Sequence, residues 1–177
     1  MQISDVIALT ALIASFLGGA FALYQWRVSV SIKKAEFIER VSQGLRNNKE
    51  ILSFIYLIDY DEFIYDADFH DSENELQMKT EMVLSTLDYL CYLLNRRLIS
   101  KKEFKSNAYI LHRVCENTEI QCYLWNLYHF SRRIENVPPY EYLINYCISN
   151  KVFVETFGSI DCKSFRGRDY LSIKHQK

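Results

Sequence analysis

The sequence predicts an all-α protein in which one N-terminal transmembrane helix continues into a cytosolic bundle of about four to five helices. The composition supports this fold class, because five Gly and two Pro against thirteen Tyr and eleven Phe favour long helices with few turns. The second observation is an uncharged run from Val6 to Trp26, about as long as the hydrocarbon core of a bilayer requires. The net charge of −1 gives no reason to expect a polyanionic partner for the whole molecule.

The first predicted element is a transmembrane helix over residues 6–26, preceded by a short extracytoplasmic N-terminus at residues 1–5. The alternative is a cleaved signal peptide, because Ala20-Phe21-Ala22 resembles a small-residue cleavage site. The opening "MQISD" contains no Lys or Arg, and the apolar run exceeds the usual signal core of about 7–15 residues. We therefore expect an uncleaved anchor.

Basic residues follow this span and none precedes it, which predicts that the C-terminal side lies in the cytoplasm. The basic residues that follow are Arg27, Lys33, Lys34 and Arg40. Aromatic rings prefer the headgroup layer at the end of a span. The predicted interface anchors are Tyr24, Trp26, Arg27, Lys33 and Lys34.

Small residues recur at every fourth position on two neighbouring faces of the span. Such spacing lets helix backbones approach closely in lipid, so we expect a homo-oligomer, although Ala-rich spans also produce this pattern by chance. The two sets are Ala11, Ser15 and Gly19, and Ala14, Gly18 and Ala22.

The span passes into the soluble domain without a helix breaker before Gly44. Val30, Phe37, Val41 and Leu45 recur at helical spacing. This pattern predicts one helix that leaves the membrane and becomes the first packed element of a cytosolic domain over residues 27–150. A rigid connection would transmit force or rotation, whereas a flexible linker would only tether; an ordinary short linker is the alternative.

The cytosolic domain should contain four further helices. The second helix of the chain has predicted core residues Ile51, Leu52, Ile55 and Ile58. A capping box from Ser72 to Glu75 predicts the start of the third helix, which ends at "NRRL".

A second capping box, from Ser100 to Glu103, opens a long fourth helix that stops before "NVPPYEY". Pro138 and Pro139 then precede a short fifth helix through "EYLINYCISN".

The sequence predicts no metal site, cofactor or catalytic residue, and we expect a protein that is not an enzyme. The five cysteines lack CxxC spacing and lie in apolar helical patterns, so we expect free thiols. His112, Cys115, Cys122 and His129 resemble a zinc set, but two cysteines seven positions apart on one helix are separated by about 10 Å. One zinc ion cannot bridge that distance.

Residues 59–75 are acidic, and we interpret them as a solvated loop whose role the sequence leaves open. An EF-hand calcium loop needs Gly at its sixth position and a carboxylate at its twelfth. Counted from Asp66, these positions are Asp71 and Gln77.

Residues 151–177 are predicted to form a basic C-terminal tail. Its basic side chains could contact anionic lipid, which contributes about 1 kcal/mol per residue near the surface; nucleic-acid phosphates and plain solvation are the alternatives. The candidate anionic-surface contacts are Lys163, Arg166, Arg168, Lys174 and Lys177.

The segments "LDYLCYLLNRRLISKKEF" and "CYLWNLYHF", with the span that runs into a helical domain, resemble a loose group of small one-span bacterial membrane proteins of unassigned function. This group includes retron-type transmembrane effectors, which occur beside reverse transcriptases or other sensors in anti-phage loci. The resemblance implies a membrane effector located in the bacterial inner membrane, and it carries over no catalytic residue.

Three functions compete. The first is a membrane-anchored effector of an anti-phage, abortive-infection system, which a partner holds inactive and which disrupts the inner membrane on release. The second is a membrane-anchored helical adaptor or scaffold without toxicity, and the third, an enzyme held at the membrane, is disfavoured by the missing motifs. The expected partners are the lipid bilayer, further copies of the chain, and a cytosolic protein or protein–nucleic acid sensor complex, without direct nucleic-acid binding.

Overall fold

The structure is a computed structural model that describes residues 3–70 and 74–171. Within these residues the chain is helical and contains no strand, so the prediction of an all-α fold is confirmed. The chain divides into two units, Met1–Arg40 and Val41–Lys177. The helices are α1 (Ile3–Asn47), α2 (Lys49–Asp59), α3 (Glu75–Asn95), α4 (Lys101–Cys115), α5 (Thr118–Arg133) and α6 (Glu141–Ser149), followed by a 3-10 turn at Arg166–Arg168.

The first unit consists of the N-terminal part of α1. The helix over Val6–Asn47 is long and apolar enough to cross a membrane, and no residue of its apolar stretch is buried inside the protein. An apolar helix surface without protein cover needs another apolar environment.

Helix α1 continues without interruption into the second unit, as the absence of breakers predicts. Leu45 is fully buried there, and Ser42 Oγ donates to Asn107 Oδ1 at 3.0 Å. Arg46 donates to the carbonyl of Ser106 at 3.1 Å. The end of α1 is therefore a packed element of this second unit, which is called the helical unit below.

Helix α2 begins after Asn48, whose side chain accepts the N–H of Glu50. Its buried residues are Ile51, Phe54, Ile55 and Ile58, which occupy one stripe at helical spacing. The prediction for Leu52 is wrong, because this residue lies at the edge of the stripe and is half-buried.

Helix α3 begins at Glu75, later than the predicted capping box requires. The N-cap is Asn74, whose side chain accepts the N–H groups of Leu76 at 2.9 Å and Gln77 at 3.3 Å. Asn satisfies these terminal donors as well as Ser does, and the predicted cap Ser72 lies outside the described residues.

The predicted long fourth helix is two helices. The capping box from Ser100 to Glu103 is confirmed at the start of α4. The chain then breaks after Cys115, where Asn117 accepts the N–H groups of Glu119 and Ile120 and starts α5. Cys115 and Cys122 thus lie on different helices, and the predicted single-helix spacing between them is wrong.

Helix α6 follows the two prolines, as predicted. Its N-cap Tyr140 has a positive φ of 59° and makes no side-chain cap. The carboxylate of Asp88, on α3, instead accepts the N–H of Leu143 at 2.8 Å. A side chain from a neighbouring helix therefore caps α6.

Residues 151–171, the described part of the predicted basic tail over residues 151–177, pack against α5. Trp125 Nε1 donates to the carbonyl of Ser159 at 3.0 Å, and Asn126 Nδ2 donates to the carbonyl of Arg168 at 2.9 Å. Phe157 and Phe165 are fully buried. Apolar residues spaced without helical period fix this segment to the core.

Candidate functional site

The predicted span-packing residues all lie exposed, namely Ala11, Ala14, Ser15, Gly18, Gly19 and Ala22. A Cβ atom added at Gly18 or Gly19 would meet nothing within 4 Å, so packing within the chain does not require either glycine. Each glycine inside a helix costs about 1 kcal/mol relative to Ala. The two glycines leave the helix backbone open to close approach by another helix.

The predicted interface anchors lie at the end of the apolar stretch. Tyr24 and Trp26 are each about two-thirds exposed. Arg27 and Lys33 are also exposed, whereas Lys34 is half-buried. Exposed aromatic and cationic side chains at this place on the helix suit a headgroup layer.

Arg168, one of the predicted anionic-surface residues, is bound inside the second unit. Its guanidinium forms a two-pronged ion pair with Glu119 on α5, with Nη1 donating to Oε1 at 2.7 Å and Nη2 to Oε2. Nη2 also donates to the carbonyl of Tyr65, whose own N–H donates to Glu119 Oε2 at 3.0 Å. This cluster of Tyr65, Glu119 and Arg168 joins three distant parts of the chain.

The electrostatics of this cluster favour the charged forms of both partners. Burial acts to raise the pKa of Glu119, but the hydrogen bonds from Arg168 and from the Tyr65 N–H outweigh it and lower that pKa. The bond to Glu119 raises the pKa of Arg168. The charge of the Arg168 guanidinium is therefore paired within the chain, where it stabilises the fold.

The other predicted surface cations are placed differently. Lys163 is exposed, and Arg166 is exposed beside Asp161, with 3.3 Å between the charged atoms. Lys174 and Lys177 lie outside the described residues.

The acidic segment carries a buried aromatic cluster that was not predicted from the sequence. Phe63, Tyr65 and Phe69 are buried, and the ring of Tyr65 packs edge-on against Tyr123 with 5.4 Å between centroids. The Tyr65 hydroxyl lies 2.9 Å from His70 Nε2. The signal for this burial in the sequence is that aromatic residues alternate with acidic ones along the segment.

The acidic side chains of this segment agree with the predicted solvation where the structure describes them. Asp61, Glu62, Asp66 and Asp68 are exposed, while Asp71 and Glu73 lie outside the described residues. The segment is therefore acidic on its surface and aromatic beneath.

All five cysteines are buried and free, which confirms the prediction of free thiols. Burial raises the pKa of Cys91 and raises that of Cys122 to about 12. A hydrogen bond with Cys115 and burial raise the pKa of Cys147. The thiols of Cys91, Cys122 and Cys147 are therefore protonated at neutral pH and are poor nucleophiles.

The four residues that resemble a zinc set in the sequence do not form a metal site. His112 contacts Glu116, with 2.9 Å between Nδ1 and Oε1, and His129 Nε2 lies 3.3 Å from the carbonyl of Phe157. Across residues 3–70 and 74–171, no group of three or more His, Cys, Asp or Glu could hold a metal ion.

Comparison with protein-family models, with characterised proteins and with solved structures found no match.

Proposed function

We propose that the protein is a single-span effector of a bacterial anti-phage system, which a partner holds inactive and which disrupts the inner membrane on release. The N-terminus lies outside the cytoplasm and the helical unit inside. The chain works as a homo-oligomer in the bilayer and has no catalytic role.

The observation that carries the proposal is the uncovered apolar surface of α1. The apolar stretch of this helix has no buried residue, and its exposed large side chains include Leu12, Phe16, Leu17 and Phe21. A core helix of a soluble protein would be covered by its own chain. Lipid is the environment that suits this surface without further protein.

The distribution of charge supports the orientation. Arg27, Lys33 and Arg40 follow the apolar stretch and are exposed, and cytoplasmic flanks carry such an excess of basic residues. The uninterrupted α1 supports coupling between the helical unit and the span, because a helix is stiffer than a Gly/Ser linker.

An anchored adaptor is the second candidate, favoured by an apolar groove of the helical unit. The groove has a volume of about 480 Å³ and is lined by residues of α1, α2 and α3, among them Val41, Gly44, Met82 and Tyr89. A helix of a partner protein could lie close to the backbone at Gly44, where an added Cβ would meet nothing within 4 Å. The adaptor needs the span only as an anchor.

Expression of the full chain without its neighbouring genes separates the two functions. The effector should collapse the membrane potential, measured with a voltage-sensitive dye, and should stop growth. A C-terminal fluorescent-protein fusion should be bright and a C-terminal alkaline phosphatase fusion inactive. A membrane-inserted chain that leaves the membrane potential unchanged would contradict the effector function and favour the adaptor. An active phosphatase fusion would refute the orientation.

A further inference from the structure

Helices α3 and α6 pack against each other, and an open cleft of about 480 Å³ lies between them. The buried thiol of Cys91 is part of its lining, with the last turn of α3, one side of α6 and the first residue of α4. Sites for small molecules commonly have volumes of about 300–1,000 Å³. The cleft belongs to the helical unit, so its occupancy does not depend on the role of α1.

Two tyrosine rings line the cleft. Tyr142 and Tyr146 are half-buried. Tyr142 packs edge-on against Tyr92 with 5.0 Å between centroids, and Tyr146 packs against Phe104 at 5.1 Å. Rings held in place by such neighbours offer a flat apolar surface to a planar ligand.

Amide groups accompany these rings. Asn95 and Asn145 line the cleft, and both residues are exposed, so that a bound ligand would replace the water at their amides. An amide presents a donor beside an acceptor, the pattern that matches the edge of a nucleobase. A purely apolar ligand would leave these groups unpaired, which is costly.

The charges at the cleft differ between its ends. Lys101 lies at the start of α4 and just before Phe104, which packs on Tyr146. Glu141 lies at the first turn of α6. A ligand that spans the cleft therefore meets an ammonium group at one end and a carboxylate at the other.

The ammonium end is part of a basic corner between α3 and α4. Residues 95–102 include no acidic residue and the basic residues Arg96, Arg97, Lys101 and Lys102. The rest of the chain must be acidic, because the whole has a net charge of −1. A phosphate group suits such a local concentration of cations.

We propose that this cleft binds a nucleoside monophosphate whose base carries an exocyclic amine, as adenine and cytosine do. The phosphate lies at Lys101, the base lies against the tyrosine rings and the amides of Asn95 and Asn145, and the amine donates to the carboxylate of Glu141. Acidic side chains accept from exocyclic amines in nucleic-acid recognition.

Isothermal titration of the full chain in detergent micelles tests the site. AMP or CMP should bind saturably at one site per chain. IMP and UMP, which lack the exocyclic amine, should bind about tenfold more weakly, because a charged hydrogen bond is lost. The Glu141→Gln variant should lose this preference.

A matched pair of variants locates the phosphate. Lys101→Gln should weaken AMP or CMP binding by about tenfold. Lys105→Gln makes the same change of charge on the same helix at an exposed residue outside the cleft lining, and it should leave binding unchanged. Equal thermal unfolding of both variants shows that the fold is retained.

Four results would overturn the proposal. The first is the absence of saturable binding of any mononucleotide at millimolar concentration. The second is binding of inorganic phosphate that is as tight as that of AMP and CMP. The third is an equal loss of affinity in Lys101→Gln and Lys105→Gln, and the fourth is binding of single-stranded RNA without any mononucleotide binding. The second result would indicate a plain anion site, and the last a nucleic-acid surface.

Discussion

Replacing Arg168 with Gln should lower the free energy of unfolding by about 2–3 kcal/mol. Breaking a fully buried ion pair costs about 3–5 kcal/mol, and breaking an exposed one about 0–1 kcal/mol. The side chains of Arg168 and Glu119 are 28% and 25% exposed, which places this pair between the two limits. The change also removes the hydrogen bond to the Tyr65 carbonyl and leaves the Glu119 carboxylate without its main partner.

Urea denaturation of the full chain in detergent micelles measures this effect, with the fluorescence of buried Trp125 as the signal. Arg166→Gln is the matched control, because Arg166 and its partner Asp161 are 73% and 71% exposed, and it should change stability by less than about 0.5 kcal/mol. Equal effects of the two substitutions would refute the assignment of Arg168 to the fold.

The same cluster predicts a dependence on pH. The folded state lowers the pKa of Glu119 below its unfolded value of about 4.3. The stabilisation is therefore complete above the unfolded pKa and is lost as the pH falls through the folded pKa. Glu119→Gln should remove this part of the acid dependence, and an unchanged acid slope in that variant would contradict the argument.

Three further outcomes follow from the fold. Asp88→Ala should destabilise the chain by about 1 kcal/mol, because α6 loses its cap at Leu143; urea denaturation that gives the wild-type midpoint would show that this cap contributes nothing. Asn117→Ala should cost about 1 kcal/mol for the same reason at the start of α5, and an increased stability would indicate that one long helix replaces α4 and α5. Alkylation in denaturant without a reductant should label every cysteine, as mass spectrometry can count, and a reproducible disulfide in the native protein would contradict the buried free thiols.

The course of α1 could be predicted because its determinants are local. No residue that ends a helix occurs between the apolar stretch and Gly44, and a single glycine does not end a helix that is packed at Leu45. The capping box at Ser100 is equally local. The break at Asn117 could not be recognised in the same way, since Asn-Thr-Glu contains no Gly or Pro and the apolar period continues across it.

The contacts between distant segments escaped prediction. Glu119 and Arg168 are separated by 49 positions, and nothing in either local sequence names the other as its partner. The same applies to Asp88 as the cap of α6. The small residues of α1 could be identified from spacing alone, whereas the cleft between α3 and α6 exists only after the helices pack.

The double substitution of Gly18 and Gly19 by Leu tests the central claim that α1 acts within the bilayer. It keeps the helix apolar, so insertion should persist, but the added side chains prevent close approach of a second helix. We expect the variant to lose self-association and depolarisation at matched expression. The control Ala20→Leu adds bulk on another face of the helix and should retain both, and depolarisation by the double variant equal to that of the wild type would contradict the account.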